Sequence, residues 1–424
     1  MHDHYFLFCY IGAIAIMVAF INQRLFALQA TIAETIAALM MAMGALVLGK
    51  LDLLPESIHL GQLLEELHFN ELLLKSILGF LLFTGGLSIN LRNLYQQRLE
   101  IAVLAIFSTA CSVALCGFGL HYLLQLLGYD LAIIYCLLFG AIISPTDPIA
   151  VLAIVKKLQA PEAIATKIEG ESLFNDGLGL VIFVTLSSIA FEQADVSLIA
   201  VGELFLKEVL GGVLFGLAAA FIVDQMIRQS HQASMVLLLS AMLPTAGYAL
   251  AQLLEVSGPL AMVVAGIYLG NVTREHIESR HHIASMSHFW HVVETWLNNI
   301  IFLLLGLVVL SFQFHSLYSG LLLLIIPLVL IARLISIGLP FSLLRLRHHY
   351  NPLTVPILVW GGLRGGLSLA MAMSLPTGVS LMAEPNIDLR ELIIMLTFSC
   401  VIFSIIVQGL TIKPIIRMAN NLEP

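Results

Sequence analysis

The sequence predicts an all-α polytopic membrane protein of about thirteen transmembrane helices, and three observations predict it. Apolar residues fill 59% of the 424 positions, charged residues only 11%, and the mean hydropathy is +0.99; a soluble domain is about 25% charged. Apolar runs near the ~20 residues that a helix needs to cross hydrocarbon recur along the whole chain. Lys and Arg are divided unevenly between alternate loops, as in proteins whose orientation is set by positive charge on the cytoplasmic side.

Taken in order, the spans fall at roughly 5–21, 28–49, 71–89, 100–127, 131–155, 165–190, 202–227, 234–254, 258–271, 291–312, 319–344, 353–375 and 389–417. The first is entered through Met1-His2-Asp3-His4 and lacks the basic segment of a cleavable signal. The second contains Glu34, read as a pathway residue or one near the cytoplasmic edge, and Met40, Met41 and Met43, read as packing. Between spans two and three, 54–70 alternates Leu and Ile with Glu and reads as an amphipathic surface helix. The ninth span is short and follows Ser257-Gly258-Pro259; the stretch 275–290 after it reads as a linker helix on the opposite side. An odd central span makes the seventh a connector between inverted repeats, spans 1–6 and 8–13.

The odd-to-even loops and the C-terminus carry thirteen Lys and Arg, among them Lys156, Lys157 and Lys167, and the opposite side carries four. The chain is therefore expected to be multi-pass in the cell (inner or plasma) membrane, with its N-terminus outside and its C-terminus cytoplasmic. The remaining two cations, Arg333 and Arg364, lie inside spans and need partners. The five cysteines all lie in apolar runs without metal spacing and read as small buried hydrophobes. The formal charge of −8 is spread over loops and suggests no nucleic-acid partner. The histidines, in clusters such as His281-His282, His288 and His291, carry no zinc signature and read as interfacial, with pH sensing the lesser alternative.

Chemistry concentrates in three stretches. Gly170-Glu171-Ser172-Leu173-Phe174-Asn175-Asp176-Gly177 opens an apolar run. Glu171 and Asn175 are four apart, as are Ser172 and Asp176, so each pair stacks on one helix face. Acids at bilayer depth are costly and mark a site for a hard cation or a proton. In span five, Ser144-Pro145-Thr146-Asp147-Pro148 has two prolines three apart, which remove amide donors and crowd the preceding turns. The helix should break there, with Thr146, Asp147 and freed carbonyls facing inward. Span twelve, its repeat mate, holds Gly361-Gly362-Leu363-Arg364-Gly365-Gly366, which fits a second break or a close helix crossing. Paired interruptions in corresponding spans point to a transporter's binding site. Glu171 suits either a buried ion pair, for which Arg333 is the natural partner, or a part in ligating the ion; Arg364 suits either a tether for half-helix carbonyls or a direct part in transport.

These motifs, with Trp360-Gly361-Gly362-Leu363-Arg364-Gly365 and Val407-Gln408-Gly409-Leu410-Thr411, together resemble the monovalent cation:proton antiporter family, in its bacterial NhaP-type branch of sodium/proton exchangers. The resemblance spans essentially the whole chain. It implies two unwound crossing helices, spans five and twelve, and a moving core of spans 4–6 and 11–13 (98–192 and 317–420). The scaffold would be spans 1–3 and 7–10 (1–90 and 200–312), joining two copies in a homodimer. It implies Asp176 as carrier of cation or proton, with Asp147, Ser172 and Thr146 as further ligands, Asn175 in support, and Glu171 paired with Arg333. The transported ions would be sodium, with lithium and potassium as alternatives, and protons; no cofactor is implied. One departure is visible: Leu82-Phe83-Thr84 stands where many members have Leu-Phe-Glu.

One titratable member in Asn175-Asp176 suggests electroneutral, one-for-one exchange. A cation channel, an intramembrane aspartyl enzyme using Asp147 and Asp176, and an anion exchanger are the competing readings. Obligatory exchange, measured by reversal potentials, separates an antiporter from a channel, and a peptide-cleavage assay tests the enzyme.

Overall fold

The computed structural model of the protein describes residues 2–51, 69–191, 198–230, 232–274, 280–311, 316–346, 350–381 and 384–420. Helix α1 is His2–Ile21 continued by a π turn at Asn22–Phe26, and α2 is Ala30–Lys50. Helix α3 joins Phe69–Leu72, a π turn at Leu73–Ile77 and Leu78–Ser88. A short connector helix, Leu91–Gln96, starts at Asn90, whose side chain accepts from the amides of Arg92 and Asn93. Then come α4 (Arg98–Leu126), α5 (Ile133–Ile143), α6 (Ile149–Lys157), α7 (Glu162–Phe191) and α8 (Leu198–Arg228). They are followed by α9 (Ala233–Leu253) and α10 (Gly258–Thr273), α11 (Arg280–Leu307) and α12 (Ser316–Leu344). Helices α13 (Thr354–Trp360) and α14 (Gly366–Met373) precede a small hairpin, β1 (Ser380–Leu381) with β2 (Glu384–Asp388). Helix α15 begins as Leu389–Phe403, passes a π turn at Ser404–Gln408, and ends as Gly409–Asn420.

Among the described residues, nine helices are long and apolar enough to cross a membrane, and three shorter apolar ones accompany them. Their outward faces are apolar: Leu206, Leu210, Leu214, Leu217 and Phe221 repeat at helical spacing along α8 and are exposed. A stripe of that length facing water would be an aggregation site, whereas facing hydrocarbon it costs nothing.

Several details differ from the sequence reading. The stretch 275–290 is not a separate linker: from Arg280 onward it is the start of α11, because no Gly or Pro interrupts the chain before Gly306. The hairpin breaks the all-helical rule beyond Pro376, where Gly378 has φ +89°. Asp388 fixes that corner by accepting from the amides of Gly378 and Arg390. Lys167, assigned to a loop, is buried in α7, its ammonium 5.4 Å from the centre of the Tyr350 ring. Cys9 lies on the exposed face of α1 rather than in the interior. Most of the surface helix expected at 54–70, along with Arg347, His348 and His349, lies outside the described residues.

Buried apolar side chains fall into separate clusters. The largest joins α3, α9, α10 and α11 with parts of α1, α2 and α8, and takes a few residues from α7, α14 and α15. Two others lie among α4–α7 and α12–α15. Trp290 anchors the first: it is buried, its indole N–H donates to Ser240 Oγ at 3.0 Å, and its ring meets Phe83 edge-on at 4.9 Å. Replacing a buried aromatic by Ala typically costs about 3–5 kcal/mol. Trp290→Ala should therefore lower the thermal unfolding midpoint in detergent, with Trp290→Phe intermediate; equal midpoints for all three proteins would contradict the anchoring role.

A candidate cation site between two helix breaks

Helix α5 ends at Ile143 and α6 starts at Ile149; helix α13 ends at Trp360 and α14 starts at Gly366. The two non-helical segments touch. The Asp147 amide donates to the Leu363 carbonyl at 2.8 Å, forming an isolated antiparallel bridge. Each break thus satisfies part of the backbone that the other leaves open, which burial requires.

Arg364 is the second tie. Its Nη1 donates to the carbonyls of Ser144 at 2.5 Å and Pro145 at 2.9 Å, just past the end of α5. Its own amide donates to Ser404 Oγ at 2.9 Å, at the π turn of α15. The guanidinium therefore sits where a helix end leaves carbonyls without partners. Of the two sequence readings for Arg364, the geometry is that of a tether.

Glu171 lies on α7 and pairs with Arg333 of α12, both buried. Arg333 also donates from Nη2 to the Leu358 carbonyl at 3.2 Å. Glycine is needed beside it: a Cβ on Gly362 would come 2.6 Å from Arg333 Nε. The same holds at Gly365, where a Cβ would come 2.6 Å from Asp147 Oδ2. The glycine-rich stretch thus makes room for one guanidinium and one carboxylate.

The polar centre is built from α7 and the first break. Asn175 Nδ2 donates to Thr146 Oγ1 at 2.8 Å, and its Oδ1 accepts from the Thr146 amide at 3.3 Å. Thr146 Oγ1 lies 3.1 Å from Ser172 Oγ. Asp147 Oδ1 accepts from the Ile149 amide, the first of α6, at 2.9 Å, leaving its second oxygen for other partners. Asp176, one helical turn beyond Ser172, lines the same cavity as Asp147. Both aspartates are half-buried and open into one cavity of about 470 Å³, which Thr146 also lines. This is a set of hard oxygens around two acids, suited to a small cation or a proton.

The structure thus gathers Thr146, Asp147, Ser172, Asn175 and Asp176, and holds Glu171, Arg333 and Arg364 behind them as supports. Other cavity residues were missed from sequence. Helix α11 contributes His291, Glu294, Thr295, Asn298 and Asn299, and α7 contributes Glu169. The signal was present as polar residues at 291, 294–295 and 298–299, a helical repeat in an otherwise apolar run. Glu34 is buried, with no hydrogen-bond partner for either carboxylate oxygen among the described residues, and is not among the cavity's lining residues. Thr84 turns its hydroxyl back to the Phe80 carbonyl at 2.9 Å, so that turn of α3 presents no acid to the cavity.

A helical membrane protein that sets one acid in a helix break and a second on the neighbouring helix, both open to one polar cavity, has the makings of a secondary ion transporter. The family model for the sodium/hydrogen exchanger transmembrane region matches residues 6–418, and the chain belongs to that family. It is 36% identical over 416 residues to the Na(+)/H(+) antiporter NhaP of Pseudomonas aeruginosa, covering 97% of this chain and 96% of that one. It is 32% identical over 352 residues to the Na(+)/H(+) antiporter NhaH of Halobacillus aidingensis, covering 82% and 83%. Its fold is similar to that of the sodium proton antiporter MjNhaP1 from Methanocaldococcus jannaschii, with a TM-score of 0.76 and 18% identity across 99% of both chains.

Breaking a buried ion pair by removing one partner costs about 3–5 kcal/mol, because the other charge is stranded. Glu171→Ala should accordingly reduce the yield and thermal stability of folded protein. In whatever fraction folds, the order of preference among sodium, lithium and potassium should be unchanged; a folded, stable variant with altered preference would reverse the assignment of Glu171 as a support.

Proposed function

We propose that this chain is a secondary active transporter that exchanges a monovalent cation, sodium first, for a proton, and that Asp176 binds one or the other in competition. The observation that carries this reading is the pairing of Asp176 and Asp147 at one cavity, with Thr146 and Ser172 beside them, inside an apolar helical bundle. The names of the relatives accord with it.

The competition follows from elementary electrostatics. A carboxylate away from bulk water is penalised when ionised and is relieved equally by a proton or by a metal cation. Both cannot occupy it at once, because either removes the charge that attracts the other. Hydroxyl oxygens of Thr146 and Ser172, together with the free Asp147 oxygen, supply further hard ligands once the cation sheds water. Asn175 keeps Thr146 in place through its two hydrogen bonds. With its ion or proton the site is relieved of charge and can pass the apolar barrier; empty and ionised, it is held back, which couples the two fluxes.

The finer architecture belongs to the same proposal. The thirteen crossings comprise twelve in two inverted repeats plus a connector, with the N-terminus outside and the C-terminus cytoplasmic in the inner or plasma membrane. Helices α4–α7 and α12–α15 form the core that moves, and the rest form the scaffold through which two copies dimerise. The division of the buried apolar residues into clusters supports that partition, and so do the ties between the two breaks, which bind the core together.

Asp176→Asn keeps the size and polarity of the side chain and removes the titration. In proteoliposomes it should abolish sodium-driven dissipation of a pH gradient while leaving the folded protein intact by size exclusion; sodium-dependent proton flux retained by that variant would refute the role of Asp176. Exchange by the unmodified protein should be one-for-one and so independent of an imposed membrane voltage. A rate that follows the voltage would overturn the stoichiometry.

A further inference from the structure

An unbroken helix through α13 and α14 would carry a hydrogen bond from the Arg364 amide back to the Trp360 carbonyl, four residues earlier. The break removes it, and α15 takes up both halves. The Arg364 amide donates to Ser404 Oγ at 2.9 Å, and the Trp360 carbonyl accepts from Gln408 Nε2 at 3.2 Å. Ser404 and Gln408 are the first and last residues of the π turn, and are 1% and 3% exposed. The effect reaches the ion site through one peptide unit. The amide that Ser404 holds belongs to the Leu363–Arg364 peptide, whose carbonyl accepts from the Asp147 amide at 2.8 Å. A peptide unit is planar, with its N–H and C=O pointing opposite ways. Ser404 on one edge and Asp147 on the other are therefore joined by a single rigid plate. The first break is held in the same manner from α7, where the Thr146 amide donates to Asn175 Oδ1 at 3.3 Å. Under the inverted-repeat reading α7 and α15 are counterparts, as are the two breaks.

We propose that Ser404 and Gln408 are positioning residues for cation binding: from α15 they set the Leu363–Arg364 peptide and, through it, the backbone at Asp147. The proposal rests on the exchange reading above and deepens it by naming residues outside the cavity that decide how well the cation is held. Neither residue is among those lining the cavity of Asp147 and Asp176. They line a separate space of about 10 Å³ with Arg333 and Arg364, room for one water at most. They act on geometry, then, and do not ligate the cargo. Without the Ser404 hydroxyl the buried Arg364 amide has lost its acceptor, and the peptide is free to turn in search of another. The Leu363 carbonyl turns with it and no longer fixes the Asp147 amide. Loosened ligands hold an ion less well while the loaded core moves as before, so the concentration dependence of transport changes more than its maximal rate.

The test is the sodium dependence of exchange in proteoliposomes for the unmodified protein, Ser404→Ala, Ser404→Thr, Gln408→Leu and Thr411→Val. Ser404→Ala and Gln408→Leu should each raise the half-saturating sodium concentration about fivefold, while the maximal rate changes by less than about twofold. Ser404→Thr keeps the hydroxyl and should return to the unmodified value. Thr411→Val is the control. Thr411 Oγ1 accepts from the Trp360 indole N–H at 2.9 Å, a side-chain contact outside the backbone of the break, so its loss should leave the half-saturating concentration where it was. A merely structural role would lower yield, thermal midpoint or maximal rate without that selective shift. If Ser404→Ala fails to reconstitute, Gln408→Leu decides by the same criterion. Half-saturating concentrations unchanged in Ser404→Ala and Gln408→Leu, or shifted as far in Thr411→Val, beside intact exchange by the unmodified protein, would overturn the positioning role and leave the exchange reading standing. An unmodified protein with no sodium-dependent proton flux would overturn both.

Discussion

Backbone that leaves a helix inside hydrocarbon has amides and carbonyls that lipid cannot satisfy, and the arrangement of this protein follows from how they are satisfied. The chain breaks two helices and sets the breaks against each other. Asp147 N–H meets Leu363 C=O, and Arg364 reaches across to the Ser144 and Pro145 carbonyls that follow α5. Together they form a small polar body that is held to α7 by Asn175 and to α15 by Ser404. The carboxylates then need no special placement of their own: Asp147 is carried by the first break, and Asp176 faces it from the next helix.

The charges behind the site follow the same logic. Arg333 and Glu171 neutralise each other between α12 and α7, and small residues make their approach possible. The pair does not line the cavity, so its contribution is to fix how α7 and α12 sit against each other. The largest apolar cluster gathers around α3, α9, α10 and α11, and the other two lie among α4–α7 and α12–α15.

Much of this was legible in the sequence because its causes are local. Two prolines three apart in Ser144–Pro148 stop a helix whatever surrounds them, and 59% apolar composition leaves few folds other than a membrane bundle. Glu171 with Arg333 was legible because two unpaired charges in one bundle have to find each other. What was not legible depended on which way a helix face turns. Glu294 falls within the span expected at 291–312 and drew no reading of its own, because the sequence does not say which face of that helix lines the cavity. Thr84 could not be judged until its hydroxyl was found bonded within its own helix. The hairpin after α14 was missed because its pairing depends on a left-handed glycine and a capping aspartate ten residues apart.

The tether by Arg364 has one more consequence, which is a matter of arithmetic in charge. The buried centre holds two guanidinium groups, Arg333 and Arg364, and three carboxyl groups, Glu171, Asp147 and Asp176. With all five ionised, these groups carry a single negative charge in place of the three that the carboxylates alone would carry, so the two guanidiniums behind the site lessen its demand for positive charge from outside.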